Sequence, residues 1–113
     1  MIVYTLKSCD TCKKALKWLD AEGIAYENRD VRADGISPDT IRTIVSSLGW
    51  EKALNRRSTT WRNLPQSQKD ALDAEKAIAL IEDNATIMKR PVFVTEHEIM
   101  GGFDDSVRDW LKS

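Results

Sequence analysis

Cys9 and Cys12 are the residues of this chain whose type and spacing point most directly to chemistry. They are its only two cysteines, set in Lys7-Ser8-Cys9-Asp10-Thr11-Cys12. The thiolate, not the thiol, is the nucleophile, so reactivity depends on what ionises Cys9. The run Ile2-Val3-Tyr4-Thr5-Leu6 reads as a buried strand, and a helix is expected from about Asp10 to Glu22, stopped by Gly23. Cys9 then lies at a helix N-terminus, where unpaired amide N–H groups and the positive end of the helix dipole favour a thiolate. Cysteines so placed have pKa values lowered from about 8.5 to roughly 3.5–7.5. Lys7 and Lys13 add positive charge nearby. Cys12 falls one helical turn further on, on the same side. It could attack a mixed disulfide on Cys9 and release the partner, a division into attacking and resolving thiol. The alternative is two buried structural cysteines; a CxxC directly after a strand in a βαβ pattern favours the redox pair.

Other residues could complete a site. Arg56 and Arg57 follow the central helices, with Arg62 beyond them, and Arg90 directly precedes Pro91. The planar guanidinium suits carboxylates and oxyanions, and one beside Cys9 would stabilise its thiolate. Taken singly, Arg56, Arg57 and Arg62 read as solvated charges; Arg90 stands apart because of its neighbour. Pro91 opens an otherwise central-looking strand, and having no N–H it belongs at the strand's first residue or edge. In Gly101-Gly102-Phe103-Asp104-Asp105, the glycines let backbone approach a ligand closely. Asp104 or Asp105 can cap the final helix. Exposed amides beside a carboxylate could bind both ends of an amino-acid zwitterion; a plain glycine turn with an aspartate cap is the alternative.

Composition narrows the function classes. The 113 residues suit one domain, and with 42% hydrophobic and 31% charged residues the chain reads as globular. A net charge of −1 gives no global drive toward nucleic acid. No apolar run approaches the roughly 20 residues that span a bilayer. The N-terminus lacks the basic start and long apolar stretch of a signal peptide, so a cytoplasmic protein without membrane partners is expected. With two Cys and a distant His97, the chain is short of the roughly four ligands of a structural zinc site, and no metal is expected.

The elements that must position these residues follow from patterning. Residues 24–31 read as a second strand, so strand, helix, strand form a βαβ unit with parallel strands. Ser37-Pro38 opens a helix, Ser as N-cap and Pro in the first turn, with Ile41, Ile44, Val45 and Leu48 on one stripe. Trp50 to Leu54 reads as a short helix and Arg56 to Arg62 as a polar, basic loop. A helical region is expected from about Pro65 to Asn84, with a break near Asp73. Pro91 to Thr95 reads as a strand, Glu96-His97 as a turn, Glu98 to Met100 as a short strand, and Asp104 to Leu111 as the last helix. βαβ, a helical middle and ββα make an α/β chain with a four-stranded mixed sheet: a single thioredoxin-like domain over 1–113, with a helical insertion at about 37–84.

These residues together resemble the arsenate reductase ArsC family of the thioredoxin-like superfamily, its YffB-type reductases and Spx-type regulators above all. Tyr4 to Lys14 (YTLKSCDTCKK) is similar to the family's cysteine loop. Leu54-Asn55-Arg56-Arg57-Ser58 is similar to its basic loop, and Lys89-Arg90-Pro91-Val92 to its proline motif. The motifs keep their order and cover essentially the whole chain. The resemblance implies that Cys9 is the catalytic cysteine, that Arg56 and Arg90 bind the oxyanion of true arsenate reductases, and that the bond before Pro91 is cis and faces the cysteines. A third oxyanion arginine is expected near the last strand, where this chain reads Met100-Gly101-Gly102-Phe103. That stretch is similar instead to the glutathione-binding end of glutaredoxins and to the Gly-Phe stretch of the YffB branch. The implied function is a glutathione-dependent thiol–disulfide oxidoreductase with no permanently bound cofactor. Cys9 is its nucleophile, Cys12 its second catalytic thiol, and Arg56, Arg90, Pro91, Gly101, Gly102 and Asp104 its substrate-binding residues. Its partners would be glutathione and a small-molecule or protein disulfide, or an oxyanion. The alternatives are an Spx-like transcription regulator whose RNA polymerase surface responds to a Cys9–Cys12 disulfide, and a true arsenate reductase.

Overall fold

The computed structural model describes Met1 to Ser113, and the chain divides into two compact units, Met1–Gly35 with Arg90–Ser113, and Ile36–Lys89. The first unit holds a four-stranded sheet in the order β2-β1-β3-β4, built from β1 (Ile2–Thr5), β2 (Glu27–Asp30), β3 (Val92–Val94) and β4 (Ile99–Gly101). β1 pairs in parallel with β2 and antiparallel with β3, which pairs antiparallel with β4. The parallel pair is the expected βαβ crossover, made by α1 (Asp10–Glu22). Gly23 ends α1 at φ 69, a left-handed conformation that glycine adopts without a Cβ penalty.

One side of this sheet carries the core that fixes α1. Val3 and Phe93 are register partners on β1 and β3, so they share a face. Both are fully buried, against Ala15 and Leu19 of α1 and Val107 of α7 (Asp105–Lys112). Trp18 closes the edge, its ring 5.6 Å from that of Phe103 in an edge-to-face arrangement. Asp104 caps α7 by accepting from the Val107 N–H at 3.0 Å, which decides between the two aspartates.

The second unit is helical: α2 (Pro38–Leu48), α3 (Trp50–Ala53), α4 (Thr59–Asn63), α5 (Gln66–Lys69), α6 (Ala74–Asp83) and a 3₁₀ turn at Ala85–Ile87. α2 carries the expected stripe, with Ile41, Ile44 and Val45 buried, and Ser37 caps it by accepting from Thr40 N–H. Arg42 of α2 makes a forked ion pair with Glu75 of α6 at 2.8 and 3.3 Å.

Two boundaries differ from the sequence reading. The stretch 56–62 is not all loop: Ser58 accepts from the Trp61 N–H and starts α4, because the buried Trp61 gives that turn an apolar anchor. The region 65–84, by contrast, breaks near Asp73 as expected, since Asp73 takes extended backbone angles to cap α6 through Lys76 N–H. Ile24 to Tyr26 lie outside β2, because Ile24 N–H is committed to the Leu19 carbonyl at the end of α1. No helix is long and apolar enough to cross a membrane.

Removing the Phe93 ring leaves a cavity between β3 and two helices. Phe93→Ala is expected to cost about 3–5 kcal/mol, read as a lowered urea midpoint with an unchanged slope.

Candidate functional site

Cys9 is the N-cap of α1, with φ −87 and ψ 117, extended angles that turn the chain from strand into helix. Its own N–H donates to Leu6 O at 2.9 Å, and its carbonyl accepts from Lys13 N–H at 3.1 Å, so its backbone is fixed from both sides. No side chain caps the helix, and that leaves the cysteine sulfur in the position a capping oxygen usually fills. Both cysteines are free thiols, Cys9 half-buried and Cys12 at 1% exposure.

The two thiols are driven in opposite directions. Burial pushes the Cys9 thiol up. The backbone N–H of Cys12, the Cys12 thiol, the positive charge of Arg90 and the backbone N–H of Thr11 outweigh it together, and the Cys9 pKa ends below its ordinary value. Cys12 is pushed up to about 12, first by burial, and then by the Cys9 side chain, through both its hydrogen bond and its charge; the Leu6 N–H and Arg90 only partly oppose this. Cys9 is therefore the more readily ionised of the two thiols and Cys12 its protonated hydrogen-bond donor.

Asp30, which the sequence reading passed over, holds the cysteine loop in place. One carboxylate oxygen accepts the Lys7 N–H at 2.7 Å; the other accepts those of Arg32 and Ala33, each at 2.8 Å. The end of β2 is thereby tied to the backbone two residues before Cys9. Burial raises the Asp30 pKa, but the N–H groups of Ala33, Arg32 and Lys7 and the Arg32 charge bring it below the usual carboxylate range. The sequence signal was an aspartate at a strand end followed by a turn, a pattern too common to single out.

The Arg90–Pro91 bond is cis, and Pro91 is buried. Its carbonyl accepts the Gly102 N–H at 2.8 Å, which ties the proline to the glycine turn. Gly102 sits at φ 86, so that bond depends on a residue free of the Cβ penalty. Arg108 fixes the other side of the turn. Its guanidinium donates to Phe103 O at 3.2 Å, pairs with Asp105, and lies 5.0 Å from the Phe103 ring centroid. Asp104 is spent on capping, accepting from Val107 N–H and from the Ser106 hydroxyl.

Cys9, Cys12, Arg90, Pro91, Gly101, Gly102 and Asp104 thus belong to one unit, and Arg90 acts electrostatically on both cysteines. Arg56 belongs to the helical unit, exposed, with its guanidinium 5.9 Å from the Trp50 ring centroid. The backbone of its loop is pinned there: Asn55 N–H donates to Ile87 O, and Lys89 N–H to Ala53 O, each at 2.7 Å. No group of three or more His, Cys, Asp or Glu side chains is gathered to hold a metal ion.

Comparison with known proteins decides the family, because the ArsC family model matches residues 4–109. The chain belongs to the ArsC family. It is 39% identical over 103 residues to an uncharacterized protein of Haemophilus influenzae, covering 91% of this chain and 90% of that one. It is 30% identical over 112 residues to the global transcriptional regulator Spx of Listeria innocua, covering 96% and 85%. Among solved structures, a YffB protein matches with a TM-score of 0.93 at 37% identity, covering 99% of this chain and 98% of that one. An arsenate reductase (ArsC) related protein from Brucella melitensis matches with a TM-score of 0.77 at 34% identity, covering 96% and 91%. The fold is the thioredoxin-like fold of ArsC proteins, as the motif order implied.

Two predictions follow from this geometry. Alkylation of Cys12→Ser, which leaves Cys9, should be fast near neutral pH, whereas Cys9→Ser should react slowly until strongly alkaline pH; mass spectrometry of the alkylated protein against pH reads both, and fast neutral alkylation of Cys12 alone would reverse the roles. Asp30→Ala should cost about 1–2 kcal/mol of stability through the lost charge-assisted bonds. It should also raise the Cys9 pKa, since the loop presenting the thiolate loses its tie. The folded pKa of Asp30 is lowered, so its contribution is fully present above the unfolded carboxyl pKa of about 4 and is lost as pH falls through the folded value. The stability gap between wild type and Asp30→Ala should therefore close on acidification.

Proposed function

We propose that this ArsC-family chain is a glutathione-dependent thiol–disulfide oxidoreductase with Cys9 as nucleophile. The observation that carries the reading is the pairing of a half-buried Cys9 of lowered pKa at a helix N-terminus with a buried, protonated Cys12 one turn away. In the first step the Cys9 thiolate attacks one sulfur of a disulfide. The substrate's S–S bond breaks, one half leaves as a thiolate that takes a proton from water, and the other half stays on Cys9 as a mixed disulfide. Two routes complete the cycle. A glutathione thiolate can attack the mixed disulfide and restore Cys9, releasing the bound half joined to glutathione. Alternatively Cys12 gives up its proton and attacks Cys9 Sγ, expelling the bound half as a thiol and leaving a Cys9–Cys12 disulfide, which two glutathiones reduce.

The glycine turn supports glutathione as the reductant. Gly101 and Gly102 bring backbone close to Pro91, and Arg108 and the α7 cap hold the turn rigid. An extended tripeptide laid along this edge would meet backbone amides at one end and the Cys9 thiolate in the middle. An oxyanion makes a different demand. Arsenate needs several converging donors, and Arg108, the arginine that follows the last strand, is engaged with Phe103 and Asp105. A missing charge-assisted contact costs about 1.5–3 kcal/mol, roughly ten- to a hundredfold in affinity.

A second reading rests on the similarity to Spx over almost the whole chain. There the Cys9–Cys12 pair would act as a redox switch on an RNA polymerase-binding surface, with no turnover.

Parallel assays with glutathione as reductant separate these readings. A small mixed disulfide should be turned over and arsenate poorly or not at all; Cys9→Ser should abolish turnover, and Cys12→Ser should retain the glutathione route. Amide shifts on titrating reduced glutathione should centre on Cys9, Arg90 and Gly101 to Asp105. Efficient arsenate turnover without disulfide turnover would overturn the proposal. Inactivity on both substrates, with oxidation-dependent binding to RNA polymerase, would establish the regulator instead.

A further inference from the structure

Behind the cysteine loop, on the side bounded by β2 and α1, lies a groove that touches Cys12 but not the nucleophile. It has two adjoining compartments of about 570 and 370 Å³ that share Leu6, Lys7, Lys13, Asp30 and Ala33. Its lining includes neither Cys9, nor Arg90, nor the glycine turn. Each compartment falls in or near the size range of small-molecule sites, which are mostly apolar with a few charged groups that orient the ligand. Leu6, Leu16 and Ala33 supply the apolar walls, and the inner compartment reaches the buried Cys12.

Charge decides what fits. Lys7, Lys13 and Arg32 line the groove, and none of them is held in an ion pair. Asp30 is the one carboxylate in the lining, and both its oxygens already accept backbone N–H groups. Three cations against one committed carboxylate leave the groove positive, in a chain whose net charge is −1. Apolar walls below and cations above match a molecule with an apolar body and an anionic head.

We propose that this groove is a binding site for a small organic anion with an apolar body of one or two rings and a carboxylate, sulfonate or phosphate head. The body lies against Leu6, Leu16 and Ala33, and the head meets Lys7, Lys13 and Arg32. Because Cys9, Arg90 and the glycine turn lie outside the lining, and of the site only the buried Cys12 borders it, the ligand binds whether or not Cys9 can react.

The test uses 8-anilinonaphthalene-1-sulfonate, which has the required body and head, on the full chain at low salt. Fluorescence should rise saturably, the affinity should fall as salt is added, and amide shifts should centre on Leu6, Leu16 and Ala33. The triple variant Lys7→Gln/Lys13→Gln/Arg32→Gln should bind about tenfold more weakly. Ala33→Trp, a change at an exposed position shared by both compartments, should abolish binding by filling the space. Cys9→Ser should bind like the wild type, so loss of thiol turnover and loss of the groove site are separately visible. Absence of saturable binding, shifts centred elsewhere, or an affinity indifferent to salt and to both groove variants would overturn the proposal; the salt series and shift map need no variant to fold.

Discussion

Lowering the pKa of a half-buried thiol is the constraint on which the sheet unit depends. Taking a charge out of water is costly, and for Cys9 burial is the largest single influence on its pKa. The net lowering is achieved only because several donors act together: the amides of Thr11 and Cys12, the Cys12 thiol and the Arg90 charge. Each donor is set by a different part of the chain. The amides exist because α1 begins at Asp10, the thiol because position 12 faces back along the helix, and the charge because Arg90 stands before a cis proline. Helix, loop and strand start must therefore be placed together, and the buried layer of Val3, Leu19 and Phe93 is what places them.

The same reasoning explains why so many polar groups near the site are spent on backbone. Asp30 ties Lys7 to the end of β2, Asp104 caps α7, and Arg108 holds the Phe103 carbonyl. None is left as a loose charge that would compete with a substrate for Cys9. Arg108 is committed to the glycine turn through Phe103 O and Asp105. What the turn presents is backbone, and the proposed peptide ligand draws on that.

Much of this was legible in the sequence because it rests on local rules. The CxxC after an apolar strand, the Ser37-Pro38 helix start and the α2 stripe each follow from residue type and spacing. The break near Asp73 is legible too, because an aspartate cap leaves a local signal, whereas α4 is not, because its short cap depends on an anchor, Trp61, that is recognisable only once packed. The extent of β2 was overread for a related reason: Ile24 and Tyr26 are apolar, yet they pack beside α1 rather than pair with β1. Asp30 and Arg108 are not legible as site residues because the bonds that matter at the site run to backbone groups, the Lys7 N–H for Asp30 and the Phe103 carbonyl for Arg108, which no side-chain pattern encodes. The groove behind the loop was hidden likewise, its cations scattered from Lys7 to Arg32.

The opposed thiols also contain an ordering device. Cys12 in the resting protein is a poor nucleophile, pushed up to about 12, first by burial and then by the bond to Cys9 and the charge on it. Burial is permanent, but both Cys9 contributions vanish once Cys9 is joined to a substrate sulfur, since a disulfide is neutral and no longer a thiolate acceptor. Arg90, which lowers both pKa values, then has only Cys12 to act on. In the proposed reaction, the attack that occupies Cys9 is thus the event that makes Cys12 more acidic, and a premature attack from Cys12 is disfavoured by the charge on Cys9. The sequence of events, Cys9 first and Cys12 second, needs no moving part beyond the transfer of one negative charge.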